Sequence, residues 1–600
     1  MILQSLVKYY EILAEDEESG IPKPGYSMAG VSYALVLSRE GELLDVLPLK
    51  DKIGKGGKEV PRKMLVPEQV KKASGITSNF LCENSGYMLG VDKKGKPERS
   101  KECFECLKEL HNLILAGVDC DEARAVVAFV NSWEPDKAAE HTALKNCLDD
   151  ITDGGNIVFG LDGGGFMHQH PSIRQVWEAY KAAPSQTAVM RCLVSGEEEA
   201  IARLHLSIKG VRGAQGTGAS IVSFNARAYE SYGRLEGQGL NAPVSEKAAF
   251  AYTTVLNHML SDNAHRLFVG DTTVVFWAES SKPVYQDMAA LFFDPGELEE
   301  RKQPGDGFVR DERAVREVKA IFSKIANGSP IGDYSAAFDA NTAFYALGIA
   351  PNVSRLAIRF FVRDSFGGFV EKVSRHYEDM RIQKQYPNEP DILSVWRLLN
   401  ETVSPMASDK SASPLLAGAV MRSILTGLPY PSQLYNAVLM RIRAGDGLSY
   451  GKASIIKAYL LRHKKDKYKE ELTVALNETS TNTSYLLGRL FAVLEKAQQD
   501  ANSGINTTIK DRYFSSACAT PASIFPILLR LSQHHIAKAE YGKTSDKRIE
   551  KIMQALELES NPFPAHLSLD AQGIFILGYY QQRNAIWAKK DTNNNNEEDK

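Results

Sequence analysis

Residues 204–225 read Leu-His-Leu-Ser-Ile-Lys-Gly-Val-Arg-Gly-Ala-Gln-Gly-Thr-Gly-Ala-Ser-Ile-Val-Ser-Phe-Asn. Leu204, Leu206 and Ile208 alternate with His205, Ser207 and Lys209, the period-two pattern of a strand with one buried face. Gly210, Gly213, Gly216 and Gly218 then interrupt it, and Ala219–Phe224 is short and apolar enough for a second strand. The spacing predicts two strands joined by a loop that carries Arg212, Gln215 and Thr217, side chains suited to phosphate oxygens or base edges. A hairpin whose glycines serve only the turn accounts for the same residues. The nucleotide-phosphate loops G-x-x-x-x-G-K-[ST] and G-x-G-x-x-G do not occur here.

Outward from this stretch, strands and helices alternate through the front of the chain. Ile2–Ala14 is an amphipathic helix; Val31–Leu37 and Leu43–Leu49 flank a glycine turn as a hairpin. Tyr87–Val91, Asn156–Leu161, Val189–Val194 and Thr272–Trp277 read as strands, and Ser100–Ile151 is mostly helical. Ser245 is placed to cap a helix over Glu246–Leu260. In Arg355–Arg363 the alternation puts Leu356, Ile358, Phe360 and Val362 toward a core and Arg355, Arg359 and Arg363 on the opposite face, either a solvated surface or a phosphate track. Beyond about Asp391 strand signals cease. Helices are expected over Ile392–Leu399, Leu415–Leu425, Pro431–Arg443 and Ala453–Arg462, then over Ser484–Ala501, Pro521–Lys538, Asp546–Leu558 and Leu569–Lys589. The fold class expected is α+β: a mixed α/β region over 1–390, a helical connector over 391–481, an all-helical C-terminal bundle over 482–590 and a disordered Asn-rich tail over 591–600.

A second candidate contact segment lies near the N-terminus. Residues 50–72 carry eight lysines and arginines against three acidic residues, with Gly54, Gly56 and Gly57 favouring a loop. They run into a polar stretch with apolar anchors, Ser74 to Asn84. Lys71 and Lys72 suit phosphates, and Ser74, Thr77, Asn79 and Asn84 suit base edges or backbone oxygens; a solvated loop explains the same composition.

The 600 residues are 44% hydrophobic and 24% charged with a net charge of -3, so the chain is no polycation and any polyanion must be met by local patches. No apolar run is long enough to span a bilayer and the first ten residues lack a basic leader, so a cytoplasmic protein is expected. Seven cysteines, an odd number, make no disulfide framework. Cys103 and Cys106, with His111 and Cys120, sketch a zinc site, but Cys103, Leu107, Leu110 and Ile114 share a helical face that looks like core. Asp162, His168 and His170 sketch another, as a metal-dependent nuclease would need. G-x-S-x-G, H-E-x-x-H and Walker patterns are absent. The expectation is a binding protein with no catalytic residues, no metal and no cofactor.

Several blocks together resemble the large subunit of the subtype I-C CRISPR-associated surveillance complex, Cascade: Ile208–Gln215, Gly218–Asn225, Asn241–Glu246 with Ala248–Tyr252, Asp271–Trp277, Tyr485–Lys496, Phe563–Leu569 and Gly578–Tyr580. The resemblance implies a non-enzymatic subunit of an RNA-guided antiviral complex that recognises the protospacer-adjacent motif, helps open duplex DNA into an R-loop and supports recruitment of a separate helicase-nuclease. Its implied partners are the guide RNA ribonucleoprotein with its backbone and 5′-handle subunits, target double-stranded DNA and its displaced strand, and a small subunit like the C-terminal bundle, with no membrane. On that reading Lys71, Lys72, Ser74, Thr77, Asn79, Asn84, Arg212, Gln215, Thr217, Asn225, Arg355, Arg359 and Arg363 are the DNA-binding candidates. A purely architectural subunit is the other non-enzymatic reading.

Overall fold

β1 (Tyr26–Leu37) is long enough to take two partners along one edge. Its first half pairs antiparallel with β4 (Lys58–Pro67) and its second half antiparallel with β2 (Leu43–Pro48). β6 (Asn156–Leu161) runs parallel along the other edge. β3 (Lys50–Ile53) adds outside β4 and the two-residue β5 (Cys82–Glu83) outside β6, so the path is β3-β4-β1-β6-β5. Alternation along β1 and β6 splits their apolar side chains between two faces. Tyr33, Leu35, Ile157 and Phe159 join Phe129 and Trp177 under the helices Asp121–Ser132 and Pro171–Ala182, while Ala34 and Val158 face the smaller cluster with Leu49 and Val66.

After a two-stranded antiparallel ribbon of β7 (Val189–Arg191) and β8 (Glu198–Ala200), a second, wholly antiparallel sheet follows in the order β12-β11-β10-β9, from β9 (Arg266–Val269), β10 (Thr272–Ala278), β11 (Ala343–Asn352) and β12 (Arg355–Ser365). β10 is buried throughout, and its two faces belong to different cores. Val275 and Trp277 pack under the helices Ile2–Glu15 and Glu246–Ser261, whereas Val274, Phe276 and Ala278 open a cluster that continues through the C-terminal helices to Tyr580. Within those helices, Thr483–Ala501 and Leu569–Trp587 form the central pair. The computed structural model describes residues 1–53, 58–69, 75–93, 96–182, 187–230, 234, 237–293, 312–327, 338–408, 412–502, 504, 506–557 and 561–587. Helix makes up 51% and strand 16%, the strands lying in the front part and the rear being mostly helical, as an α+β fold requires.

Some expected elements differ. Tyr87–Val91 is no strand: Ser85–Met88 is a helical turn, started by Asn84, whose Oδ1 accepts from the Gly86 N–H. Leu204–Ile208 and Ala219–Phe224 form no regular strands. They meet only at Ile208 and Ala219, while the Asn257 side chain takes the Ser207 carbonyl and the Lys209 N–H on the opposite edge. Lys50–Ile53 and Lys58–Pro67 pair as the antiparallel strands β3 and β4 rather than forming an open basic loop, and residues 54–57 fall outside the described residues. Among the described residues the rear of the chain holds two helices that were not expected, the single turn Lys465–Tyr468 and Ile509–Ala519. The tail at 591–600 lies outside the described residues.

Candidate nucleic-acid interface

The glycine-rich stretch is a loop with fixed roots and an exposed crest. Ile208 and Ala219 exchange both backbone hydrogen bonds, at 2.8 and 2.9 Å. Ser220 donates to the Ser354 carbonyl and accepts from the Leu356 N–H, which fastens the far root to β12. The near root is held by Asn257 and by the Thr273 hydroxyl, which accepts from the Arg212 N–H at 3.1 Å. Gly218 is required on two grounds. Its φ is +95°, and a Cβ there would stand 2.8 Å from Ser207 Cβ and 2.9 Å from the Ile208 carbonyl oxygen.

Between these roots Arg212, Gln215 and Thr217 are all exposed. The Gln215 and Thr217 side chains make no hydrogen bond to any described residue, and the Arg212 guanidinium rests 5.7 Å from the centre of the Phe268 ring. Arg266 stands over the same ring at 5.1 Å, while its guanidinium donates to the Leu260 carbonyl and to Asn263. Phe268 thus holds two cations in place at the end of the helix Glu246–Ser261, a role that alternation in Arg266–Val269 did not reveal. Lys209 is exposed beside them. Lys63 of β4 is near enough for its charge to act on His258, whose pKa is lowered chiefly by burial, with Asp262 opposing and Lys63 adding to the shift. Lys63 of the basic hairpin, far away in sequence, is thus within electrostatic reach of the helix end on which the glycine loop is rooted.

The remaining candidates divide. Lys71, Lys72 and Ser74 lie outside the described residues. Thr77 is exposed. Asn79 is buried, with its amide donating to Glu83 at 2.8 Å and Gln69 at 3.2 Å, so it shapes the segment from within. Asn84 is spent on the helical turn it caps. Asn225 is exposed and accepts from Arg355 at 2.8 Å, and the Arg355 guanidinium lies 3.8 Å over the Tyr229 ring.

The three arginines of β12 do not share a face. The register shifts between Gly348 and Ile349, where Phe360 and Ile358 are the successive partners and Arg359 is the extra residue of a bulge. Alternation therefore reverses: Leu356 and Phe361 belong to one core, Phe360 and Val362 to the other, and Ile358 is 40% exposed. Arg359 pairs with Asp271 at 3.0 Å, and Arg363 lies 5.9 Å over Tyr345.

Neither sketched metal set assembles. His111 is fully buried and committed, accepting from the Leu81 N–H at 2.9 Å and contacting the Leu107 carbonyl at 2.7 Å; Cys103 is core. His168 is buried and stacks on Phe166, and among the described residues Asp162, His168 and His170 do not gather around a common point. No helix among the described residues is long and apolar enough to cross a membrane.

No curated protein matches this chain. A family model described as CRISPR-associated protein (Cas_Csd1) matches residues 6–587, nearly the whole length and both sheets with the helical rear. The chain is therefore a member of the Cas_Csd1 family of CRISPR-associated proteins.

Proposed function

We propose that this protein is the large subunit of a subtype I-C Cascade and that the crest at 212–217 touches duplex DNA at the protospacer-adjacent motif. Family membership supports a place in CRISPR defence, and the observation that carries the finer reading is the crest itself. A cation and two unbonded polar side chains are exposed on a glycine backbone whose roots are pinned to the helix Glu246–Ser261 and to two strands. A rooted loop holds its donors at a fixed height, which base-edge reading needs, while Lys63, Lys209 and Arg212 supply charge for flanking phosphates. Guide pairing would supply the longer sequence specificity, and the subunit would have no catalytic step of its own, leaving cleavage to a separate helicase-nuclease.

The test is target binding by the reconstituted complex. Arg212→Ala is expected to weaken all targets alike and to lower the slope of log affinity against log salt by about one. Gln215→Ala and Thr217→Ala are expected to narrow the gap between targets with the correct and the wrong flanking motif by about 1–3 kcal/mol per lost contact. Unchanged discrimination and salt slope in all three would leave the architectural reading standing.

A further inference from the structure

His170 joins Cys120 and Glu122 although no spacing in the chain links it to them. Their ligand atoms lie within 4.8 Å of one another, and His170 Nε2 is already 3.5 Å from Glu122 Oε2. Cys120 is the residue before the helix Asp121–Ser132, Glu122 is in its first turn, and His170 directly precedes the helix Pro171–Ala182. The site thus bridges the starts of two helices that cover one face of the first sheet.

The local charges single out Glu122. Arg124 spends its guanidinium on Asp119, at 2.6 Å, and on Asp121, and Arg39 also reaches Asp121 at 3.5 Å. Among the described residues no Lys or Arg answers Glu122, a carboxylate only 18% exposed that faces the thiol and the imidazole. His170 Nδ1 is buried without a hydrogen-bond partner. A half-buried carboxylate without a cation, beside an imidazole with no short hydrogen bond and a thiol, is a set that lacks one positive charge at its centre.

We propose that Cys120, Glu122 and His170 bind a zinc ion, with water as the fourth ligand. A thiolate, an imidazole and one carboxylate suit zinc, whereas magnesium and calcium prefer oxygen alone. Zinc bonds of about 2.0–2.3 Å in a tetrahedron place ligand atoms about 3.5 Å apart, so side-chain adjustments of about 1 Å close the site. Binding releases the Cys120 thiol proton to solvent and leaves no redox change. The ion would tie the turn Met167–Gln169, which packs on β4, to the helix at Asp121, and so brace the strand that carries Lys63. The inference does not rest on the DNA-binding reading.

Elemental analysis of the full chain, freed of any affinity tag, tests it, together with titration of the metal-stripped chain with cobalt(II). One zinc per chain is expected, with a cobalt spectrum showing tetrahedral bands and the charge-transfer band of a single thiolate. Cys120→Ser is expected to abolish that band, Glu122→Gln and His170→Asn to cut zinc retention at least tenfold, and Cys106→Ser to change nothing. Glu122→Gln, which keeps its shape, and the wild-type cobalt spectrum decide the matter if a bulkier change unfolds the chain. Sub-stoichiometric zinc in the wild type, a spectrum without thiolate character, or undiminished retention in the variants overturns the proposal.

Discussion

Single residues carry more of this structure than their composition suggests. Gly218 and Gly216 lie in the same loop with different demands: Gly218 has positive φ and no room for a Cβ, whereas nothing lies within 4 Å of one added at Gly216. Gly218→Ala is expected to cost about 2 kcal/mol in denaturant unfolding and Gly216→Ala close to nothing, and only the former should weaken target binding through a displaced crest. His111 offers a second residue-scale expectation. Its Nδ1–H donates to Leu107 and its Nε2 accepts from Leu81, whose own φ is +54°, so a second ring proton would oppose the Leu81 N–H. Burial holds its pKa down at about 4, below the ordinary 6.5. Because the unfolded chain takes up the proton that the folded ring refuses, this contribution is complete above about pH 6.5 and is lost as pH falls toward about 4, by up to about 3 kcal/mol. His111→Gln, which keeps an acceptor, is expected to flatten that part of the stability-against-pH profile measured by chemical denaturation. Of the site residues, type alone suggested Arg212, Gln215 and Thr217, and these are exposed; Asn79 and Asn84 have the same chemistry but spend it on Glu83 and on a helix cap, which no single-residue property distinguishes.

At the scale of elements, caps were the most legible signal. Ser245 stands before an apolar periodic run, and its Oγ accepts from the Ala248 N–H at 3.2 Å; Ser245→Ala is expected to cost about 1 kcal/mol in thermal unfolding. The helix Ile509–Ala519 went unseen although Thr508 and Asp511 form a capping box that the sequence displays. The β12 bulge was not legible, since a perfect alternation gives no sign that the partner strand is one residue short. Helix-helix contact is another feature set by tertiary approach. A Cβ at Gly488 would fall 2.0 Å from the Phe575 carbonyl oxygen, and one at Gly578 would fall 2.2 Å from that of Tyr485, so Thr483–Ala501 and Leu569–Trp587 touch backbone to backbone. Either glycine to alanine is expected to cost about 3 kcal/mol, read as a lowered Tm, with little relief from side-chain repacking because the obstacle is main chain.

For the whole molecule, the continuous core has a consequence for cooperativity. Phe276 of β10 and Leu490 of the helix Thr483–Ala501 belong to one apolar cluster. Leu490→Ala is expected to cost about 3 kcal/mol and to raise native-state hydrogen exchange of β10 as much as that of the helix itself, measured by mass spectrometry; an effect confined to the helix would show that the cluster is divided. The sequence by itself determined the class of the fold, a strand-bearing front and a helical rear, because alternation, helical periodicity and capping residues are local and survive without knowledge of partners. It also exposed the glycine crest, since positive φ is a property of one residue. Only the tertiary structure decided that Lys63 of the β3–β4 hairpin comes within electrostatic reach of the helix end that roots the crest, that the arginines of β12 face different ways, and that His170 is a neighbour of Cys120 and Glu122. Those facts depend on chain closure between distant segments, and sequence spacing carries no information about which distant segments close.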